Sequence, residues 1–387
     1  MTPLGCHVNV KLGRHAEVPL SHWTQPTRLT AMTGEFSDQR ARLRHHGDVD
    51  AAPGLLDFAV NVTLDRPPRW LLDELAADLA NLARYPAAAA DREARAAVAD
   101  RHGRHPDEVL VLAGAAEGFA LLPALRPRLA AVIHPSFTEP EITLTDAGIP
   151  VHRVLLRPDN GYTFHPDQVP PAADLVVLGN PTNPTSVLHP ADTIRALARP
   201  GRTLVVDEAF MDAVPHEPAS LAGDRHLPGL IVLRSLTKTW ALAGLRAGYA
   251  IAAQNLLARL ARHRPQWPVS SLVLTAVKAC ATPKAVAEAE RAAVELVTHR
   301  TWLADQLAQL PGIEVHQPAA APFLLLRVPD GPDLRMALRD RGIAVRRADT
   351  FPGLTQDHLR IAVRSPRRSA PLLAALHAEL TEGVPAS

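Results

Sequence analysis

Cysteine is almost missing from the 387-residue sequence. Cys6 and Cys280 are too few for a disulfide framework, so a reducing, cytoplasmic setting is expected. Long apolar runs are missing too, and no stretch reaches the ~18 residues that a membrane helix needs. Neither sign of charge is in excess: 41 bases and 40 acids leave +1, which argues against a dedicated nucleic-acid binder. Eighteen histidines are present, but no Cys or His spacing matches a zinc site, so no metal is expected. Lysine is the scarcest cation. Of the 41 bases only Lys11, Lys238, Lys278 and Lys284 are lysine, and the other 37 are arginine. Where arginine is used this freely for positive charge, a retained lysine needs its own reason.

What is present suits a folded α/β protein. Hydrophobic residues make up 47% of the chain and charged residues 21%, which excludes wholesale disorder, and the length fits about two domains. Residues 1–40 show no sustained periodicity and read as an irregular, loose extension. Trp70, Leu71, Leu75, Leu79 and Leu82 have helical spacing over 69–83, and a second helix is predicted over 91–101. Six short β-branched and leucine-rich runs follow, separated by helical stretches: 108–112, 129–133, 151–155, 174–178, 203–206 and 230–233. This alternation predicts a mainly parallel sheet covered on both faces, with ligands at the carboxyl ends of its strands. After Trp267 a long amphipathic helix over 285–310, short strands at 323–328, 344–347 and 358–363, and a last helix near 370–379 predict a smaller α+β unit.

Reactive side chains gather at those strand ends. One run leads into Asn180-Pro181-Thr182-Asn183-Pro184-Thr185, the next ends at Asp207-Glu208-Ala209-Phe210, and the next at Ser235-Leu236-Thr237-Lys238. An earlier run enters Gly114-Ala115-Ala116 and a helix. In one sheet these would bring an amide, a carboxylate and an amine to a single edge beside free backbone N–H groups. A helix start with Ser235, Thr237 and Arg246 suits a phosphate. A buried Asp207 would keep a heterocyclic nitrogen protonated. A desolvated lysine can condense with an aldehyde, which arginine cannot. A phosphorylated pyridine aldehyde, pyridoxal 5′-phosphate, answers all of these demands.

The ordered set 180–185, 207–210 and Ser235-Leu-Thr-Lys…Leu242-Ala-Gly-Leu-Arg-Ala-Gly-Tyr249 resembles the fold type I pyridoxal-phosphate-dependent aminotransferase superfamily over about residues 45–380. Within it, the chain is most similar to the group of threonine-phosphate decarboxylases and histidinol-phosphate aminotransferases, and His45-His46-Gly47-Asp48, Leu56-Asp57-Phe58-Ala59-Val60-Asn61, Asp207–Asp212 and Arg360–Arg364 resemble the decarboxylase-like proteins of cobalamin biosynthesis. The resemblance implies a large cofactor-binding domain over 65–274, a small domain over 275–387, and a segment over 41–64 that joins the small one. It implies that Lys238 binds the cofactor aldehyde and moves protons, that Asp207 pairs with the pyridine nitrogen, and that Asn183 bonds the ring 3-oxygen. Phe137 would stack on the ring. Gly114, Ala115, Ala116, Ser235, Thr237 and Arg246 would hold the phosphate, and Tyr85 would reach the phosphate of a neighbouring subunit in a homodimer. Arg360, Arg364, His46, Gly47 and Asn61 would bind a small phosphorylated substrate. The sequence departs from many relatives at Ala115–Ala116, which lack a hydroxyl, at Phe210 in place of a tyrosine, and at Ser186 in place of a glycine.

Taken singly, these residues have plain structural readings. Asp207 could be a helix cap, Arg360 and Arg364 a solvated pair, and His46 and Phe137 loop and core residues. Three functions are compatible with the set. The leading expectation is decarboxylation of a small phosphorylated amino acid such as threonine phosphate. The alternative is transamination of the histidinol-phosphate type with 2-oxoglutarate, and a non-catalytic, cofactor-sensing domain is the third.

Overall fold

The computed structural model describes residues 40–382, so the expected N-terminal extension lies outside the described residues up to residue 39. The strands are β1 (Leu56–Phe58), β2 (Val109–Leu112), β3 (Ala130–His134), β4 (Val151–Leu155), β5 (Leu175–Gly179), β6 (Thr203–Asp207), β7 (Leu230–Ser235) and β8 (Gly248–Ala252), followed by β9 (Glu314–Val315), β10 (Phe323–Arg327), β11 (Ile343–Arg347) and β12 (His358–Ala362). Strands β2 to β8 form a seven-stranded sheet in the order β2-β8-β7-β6-β5-β3-β4, in which β8 alone is antiparallel to its neighbours. The remaining five form a second sheet, β1-β11-β12-β10-β9, with β1 parallel to β11 and the other pairs antiparallel.

All six runs expected in the large sheet are strands, with ends shifted by one or two residues. The sequence reading did not find β8. Its Gly-Tyr-Ala-Ile-Ala is short and rich in glycine and alanine, which carry weak β-propensity. The long helix runs Pro283–Ala308, capped by the Thr282 hydroxyl on the Ala285 N–H, with proline at its first position. Ala285 and Ala289 in its first half join the core under the large sheet. Leu303, Ala304 and Leu307 in its second half join the core of the small sheet. Among the described residues no helix is long and apolar enough to cross a membrane, and no group of three His, Cys, Asp or Glu is placed to hold a metal.

The two faces of the large sheet follow from strand alternation. Val176, Leu178, Leu204, Val206 and Val232 enter one core. Leu175, Val177, Val205, Ile231 and Leu233 enter the other, together with Phe119 and Phe137. The same alternation at the strand ends puts Asp207 and Ser235 on the Phe137 side, and Arg234 and, one residue past β6, Glu208 behind.

Behind the sheet, Arg234 is almost wholly buried, at 1% exposure. Its guanidinium donates to Glu208 (3.1 Å), Asp212 (3.0 Å) and Glu217 (2.6 Å). Arg101 joins the same carboxylates, at 2.6 Å to Asp212 and 2.8 Å to Glu217. The two arginines hold the Asp212 carboxyl well below its usual range despite burial, whereas burial raises Glu208 to about 7. His102, pushed down to about 2 by burial and the two cations, stays neutral and shares a hydrogen bond with the Tyr249 hydroxyl at 2.9 Å. Removing one member of such a cluster strands buried charge. Arg234→Leu is therefore expected to cost about 3–5 kcal/mol in urea unfolding of the cofactor-free protein. Cutting the exposed Arg69–Asp73 pair with Arg69→Ala should leave the midpoint unchanged.

Candidate active site

A cleft of about 500 Å³ opens at the carboxyl ends of the parallel strands, where the large sheet meets residues of the small one. Strand β6 delivers Asp207 to it, the end of β7 delivers Ser235, the turn after β7 delivers Thr237 and Lys238, and the loop after β5 delivers Asn183. The chain before β2 contributes His46, Gly47 and Asn61, and the small sheet contributes Arg360 from β12.

Lys238 lies at the floor of the cleft. Its carbonyl is pinned by Thr63, whose N–H (3.2 Å) and hydroxyl (3.0 Å) both donate to it. Burial, then the Arg360 and Arg246 cations, pull the amine from its ordinary range down to about 8, against an opposing pull from Asp207. Asp207 accepts the Ala209 N–H at 3.1 Å. Burial raises its carboxyl to about 6, with that hydrogen bond and Lys238 acting the other way. An adjacent cationic ring nitrogen would hold it ionised. Asn183 accepts from the Arg360 guanidinium at 2.6 Å, and the second Arg360 terminal nitrogen donates to the Ala59 carbonyl. Gly47 lies against the same carbonyl: a Cβ there would come within 2.6 Å of it.

One corner of the cleft is built for an oxyanion. The Ser235 and Thr237 hydroxyls are 2.7 Å apart, and Ala115 and Ala116 line the wall beside them. Gly114 adopts φ +81°, and a Cβ on it would lie 2.7 Å from an Arg246 terminal nitrogen, so the bare glycine makes room for the guanidinium. Two hydroxyls, a guanidinium and a helix start suit a phosphate dianion. An amine near pKa 8 suits an aldehyde, and Asp207 a ring nitrogen. The donor set therefore fits pyridoxal 5′-phosphate.

Of the residues singled out in the sequence, Lys238, Asp207, Asn183, Ala115, Ala116, Phe137, Ser235, Thr237, Arg246, Arg360, His46, Gly47 and Asn61 all line this cleft, and Gly114 touches it through Arg246. Two are not brought in. Arg364 instead donates to the carbonyls of Asp57 (3.3 Å) and Val60 (2.8 Å), tying down the segment that carries Asn61. Tyr85 is 74% exposed and stacks on Trp267 with ring centroids 4.2 Å apart. Sequence reasoning missed Asp48, Glu139 and Arg346, which also line the cleft, and Thr63 beneath it. Glu139 accepts from His46 at 2.7 Å, and that bond holds its carboxyl below the usual range. Glu139 stands two residues after Phe137, whereas Arg346 is one of 37 arginines and Thr63 acts through its backbone partner.

The amine must be unprotonated to attack an aldehyde. The rate at which cofactor-free protein captures pyridoxal phosphate, followed by absorbance, should thus rise with pH to a midpoint near 8. Arg360→Met removes the neighbouring cation that depresses the amine more and should move that midpoint upward.

The family model for aminotransferases of class I and II matches residues 53–376. A histidinol-phosphate aminotransferase of Mycobacterium tuberculosis is 54% identical over 341 residues, covering 88% of this chain and 92% of its own. A threonine-phosphate decarboxylase of Salmonella typhimurium is 32% identical over 351 residues, covering 86% of this chain and 93% of its own. Among solved structures, the histidinol-phosphate aminotransferase of Clostridium acetobutylicum has a TM-score of 0.78 at 23% identity, covering 85% of this chain and 100% of that one, a likeness of fold. The fold, the family match and the relatives agree: the chain belongs to the class I and II aminotransferases, and it is an enzyme that uses pyridoxal 5′-phosphate.

Proposed function

We propose that the enzyme moves an amino group between a small phosphorylated amine of the histidinol-phosphate kind and a 2-oxo acid such as 2-oxoglutarate. Lys238, an amine tuned to about 8 in a cleft shared with Asp207, Asn183 and Arg360, supports pyridoxal-phosphate chemistry on an anionic amine. The 54% identical relative bearing the histidinol-phosphate aminotransferase name supports transamination over decarboxylation.

Bound in this cleft, pyridoxal phosphate supplies an electron sink for the bond broken at the substrate α-carbon. Lys238 would hold the cofactor aldehyde, and its Nζ, when free, would be the base that takes the substrate α-proton and gives it back. At a pKa near 8 roughly a tenth of such amines are neutral at pH 7, far more than for an ordinary lysine. Asp207 would keep a proton on the ring nitrogen, and Asn183 would bond the ring 3-oxygen. Ser235, Thr237, Arg246, Gly114, Ala115 and Ala116 would hold the phosphate, while Phe137 would cover one ring face. Arg360 receives the substrate's carboxylate or phosphate, with His46, Gly47 and Asn61 along the same wall. Arg364 acts from behind by fixing residues 57–60.

A second reading is decarboxylation of threonine phosphate, which uses the same Lys238, Asp207 and Asn183. Phe210 favours it. This residue lines the cleft with its ring edge-on to Phe323 at 4.9 Å, and so offers the cofactor no hydroxyl. The threonine-phosphate decarboxylase at 32% identity points the same way.

Purified enzyme should convert histidinol phosphate and 2-oxoglutarate to glutamate. Lys238→Ala should lower that rate by about 10²–10⁴-fold or more, with the protein still folded. Carbon dioxide from phosphothreonine without glutamate formation would shift the assignment to the second reading.

We further propose a homodimer in which Tyr85 reaches the partner's cleft. Tyr85 and Trp267 form an exposed aromatic pair, with Leu79 and Leu82 exposed just before Tyr85 in the chain. Tyr85→Phe should weaken cofactor affinity about 10-fold, the scale of one hydrogen bond to a charged group, without changing the dimer mass in sedimentation.

A further inference from the structure

Ser186 ends the loop that carries Asn183, and its backbone is unusual. It is wholly buried at φ +65°, a left-handed conformation that is costly for a residue with a Cβ. The Ser186 N–H closes the loop on the Thr182 carbonyl at 2.8 Å. Its side chain reaches across to the segment before β10: the hydroxyl oxygen accepts the N–H of Ala320 (3.1 Å) and of Ala321 (2.8 Å). The Ser186 carbonyl also accepts the Ala320 N–H, at 2.8 Å. Arg300 grips the same two residues from the other side. Its buried guanidinium has no carboxylate partner among the described residues and donates to the carbonyls of Ala320 (2.9 Å) and Ala321 (3.5 Å). Both polar edges of this two-residue segment are thus held.

The held segment leads directly into Phe323, which is wholly buried. The Phe323 ring packs edge-on to Phe210 and lies under the Arg360 guanidinium, 5.3 Å from its carbon. Arg360 in turn donates to Asn183, three residues before Ser186. The contacts therefore close a ring: Asn183, the loop to Ser186, the 320–323 segment, Arg360, and Asn183 again. Loop and arginine belong to different sheets, and the serine hydroxyl adds to the Ser186 carbonyl a second polar tie between the loop and the 320–321 segment, the one tie there to the Ala321 N–H.

We infer that Ser186 is a positioning residue for Arg360, its hydroxyl fixing the 320–323 segment so that the guanidinium is held ready for a substrate anion at a set distance from Asn183. The inference rests on the proposal that Arg360 receives that anion. A left-handed conformation would favour glycine at position 186, and serine there is explained by what its hydroxyl holds.

The test uses the holoenzyme titrated with histidinol phosphate and, separately, with L-glutamate, with half-saturation read from the change in cofactor absorbance. Ser186→Gly removes the hydroxyl and relieves the backbone. It should raise the half-saturation concentration about 10-fold, the scale of the hydrogen bonds lost, while leaving the resting cofactor spectrum and the melting temperature unchanged or improved. Ser186→Ala keeps the backbone cost and should show the same loss of affinity with a lower melting temperature. Arg360→Lys should itself weaken binding strongly. Adding Ser186→Gly to Arg360→Lys should then change half-saturation less than twofold, because the serine acts through the arginine. Wild-type affinity in both Ser186 variants alongside an impaired Arg360→Lys would overturn the positioning role alone. So would an undiminished 10-fold effect of Ser186→Gly in the Arg360→Lys background. Wild-type affinity in Arg360→Lys, or a wild-type holoenzyme blind to both ligands, would overturn the anion assignment and the positioning role together.

Discussion

The cleft depends on a buried guanidinium that never faces it. Arg234 lies behind the large sheet and binds Glu208, Asp212 and Glu217. Glu208 directly follows Asp207, and Arg234 directly precedes Ser235. Each adjacent pair is split by the pleat, one residue turned to the cleft and the other to the ion cluster. The ends of β6 and β7 are joined from behind by charges too costly to leave unpaired, which holds the front-facing carboxylate and hydroxyl at a fixed spacing. Such a buried cluster contributes little net stability compared with an apolar core. Its effect here is to specify one arrangement of two strand ends.

Charge organises the front of the sheet in a complementary way. Lys238, Arg246 and Arg360 crowd a cleft that offers Asp207 and Asp48 in partial compensation, and the lysine proton is the one most easily given up. Burial depresses the lysine and raises Asp207, whose ionised form is favoured by the Ala209 N–H and by Lys238. The two arginines sharpen the contrast: they push on the amine and wait for anions that a phosphorylated cofactor and an anionic substrate bring.

Much of this was legible in the sequence, for identifiable reasons. The alternating pattern that marked β5, β6 and β7 also placed Asp207 and Ser235 on one face, because period two fixes side-chain direction along with strand identity. The scarcity of lysine isolated Lys238 among the cleft residues. The same arithmetic worked against the arginines: Arg360 and Arg364 are four residues apart near one strand, yet one lines the cleft and the other binds carbonyls behind it. Arg346 gave no signal at all. Residues acting through backbone partners, such as Thr63 on the Lys238 carbonyl, carry no motif, and β8 was hidden by its glycine and alanines. Pairings between chain segments hundreds of residues apart, such as Arg360 with Ala59, are properties of the folded chain alone.

The helix Pro283–Ala308 puts a last constraint on the chain. Its first half packs under the large sheet and its second half under the small one, on a single continuous stripe. Each residue advances an α-helix by about 100°. Inserting or deleting one residue between Ala293 and Arg300 would therefore turn one half's apolar face a quarter-turn or more away from its core, while every side chain kept its identity. The length of this helix is consequently a phase relationship, like the meshing of two gears on one shaft. Substitutions along its exposed face can accumulate freely, but a single-codon gain or loss there would misalign Arg360 with Asn183 without touching either.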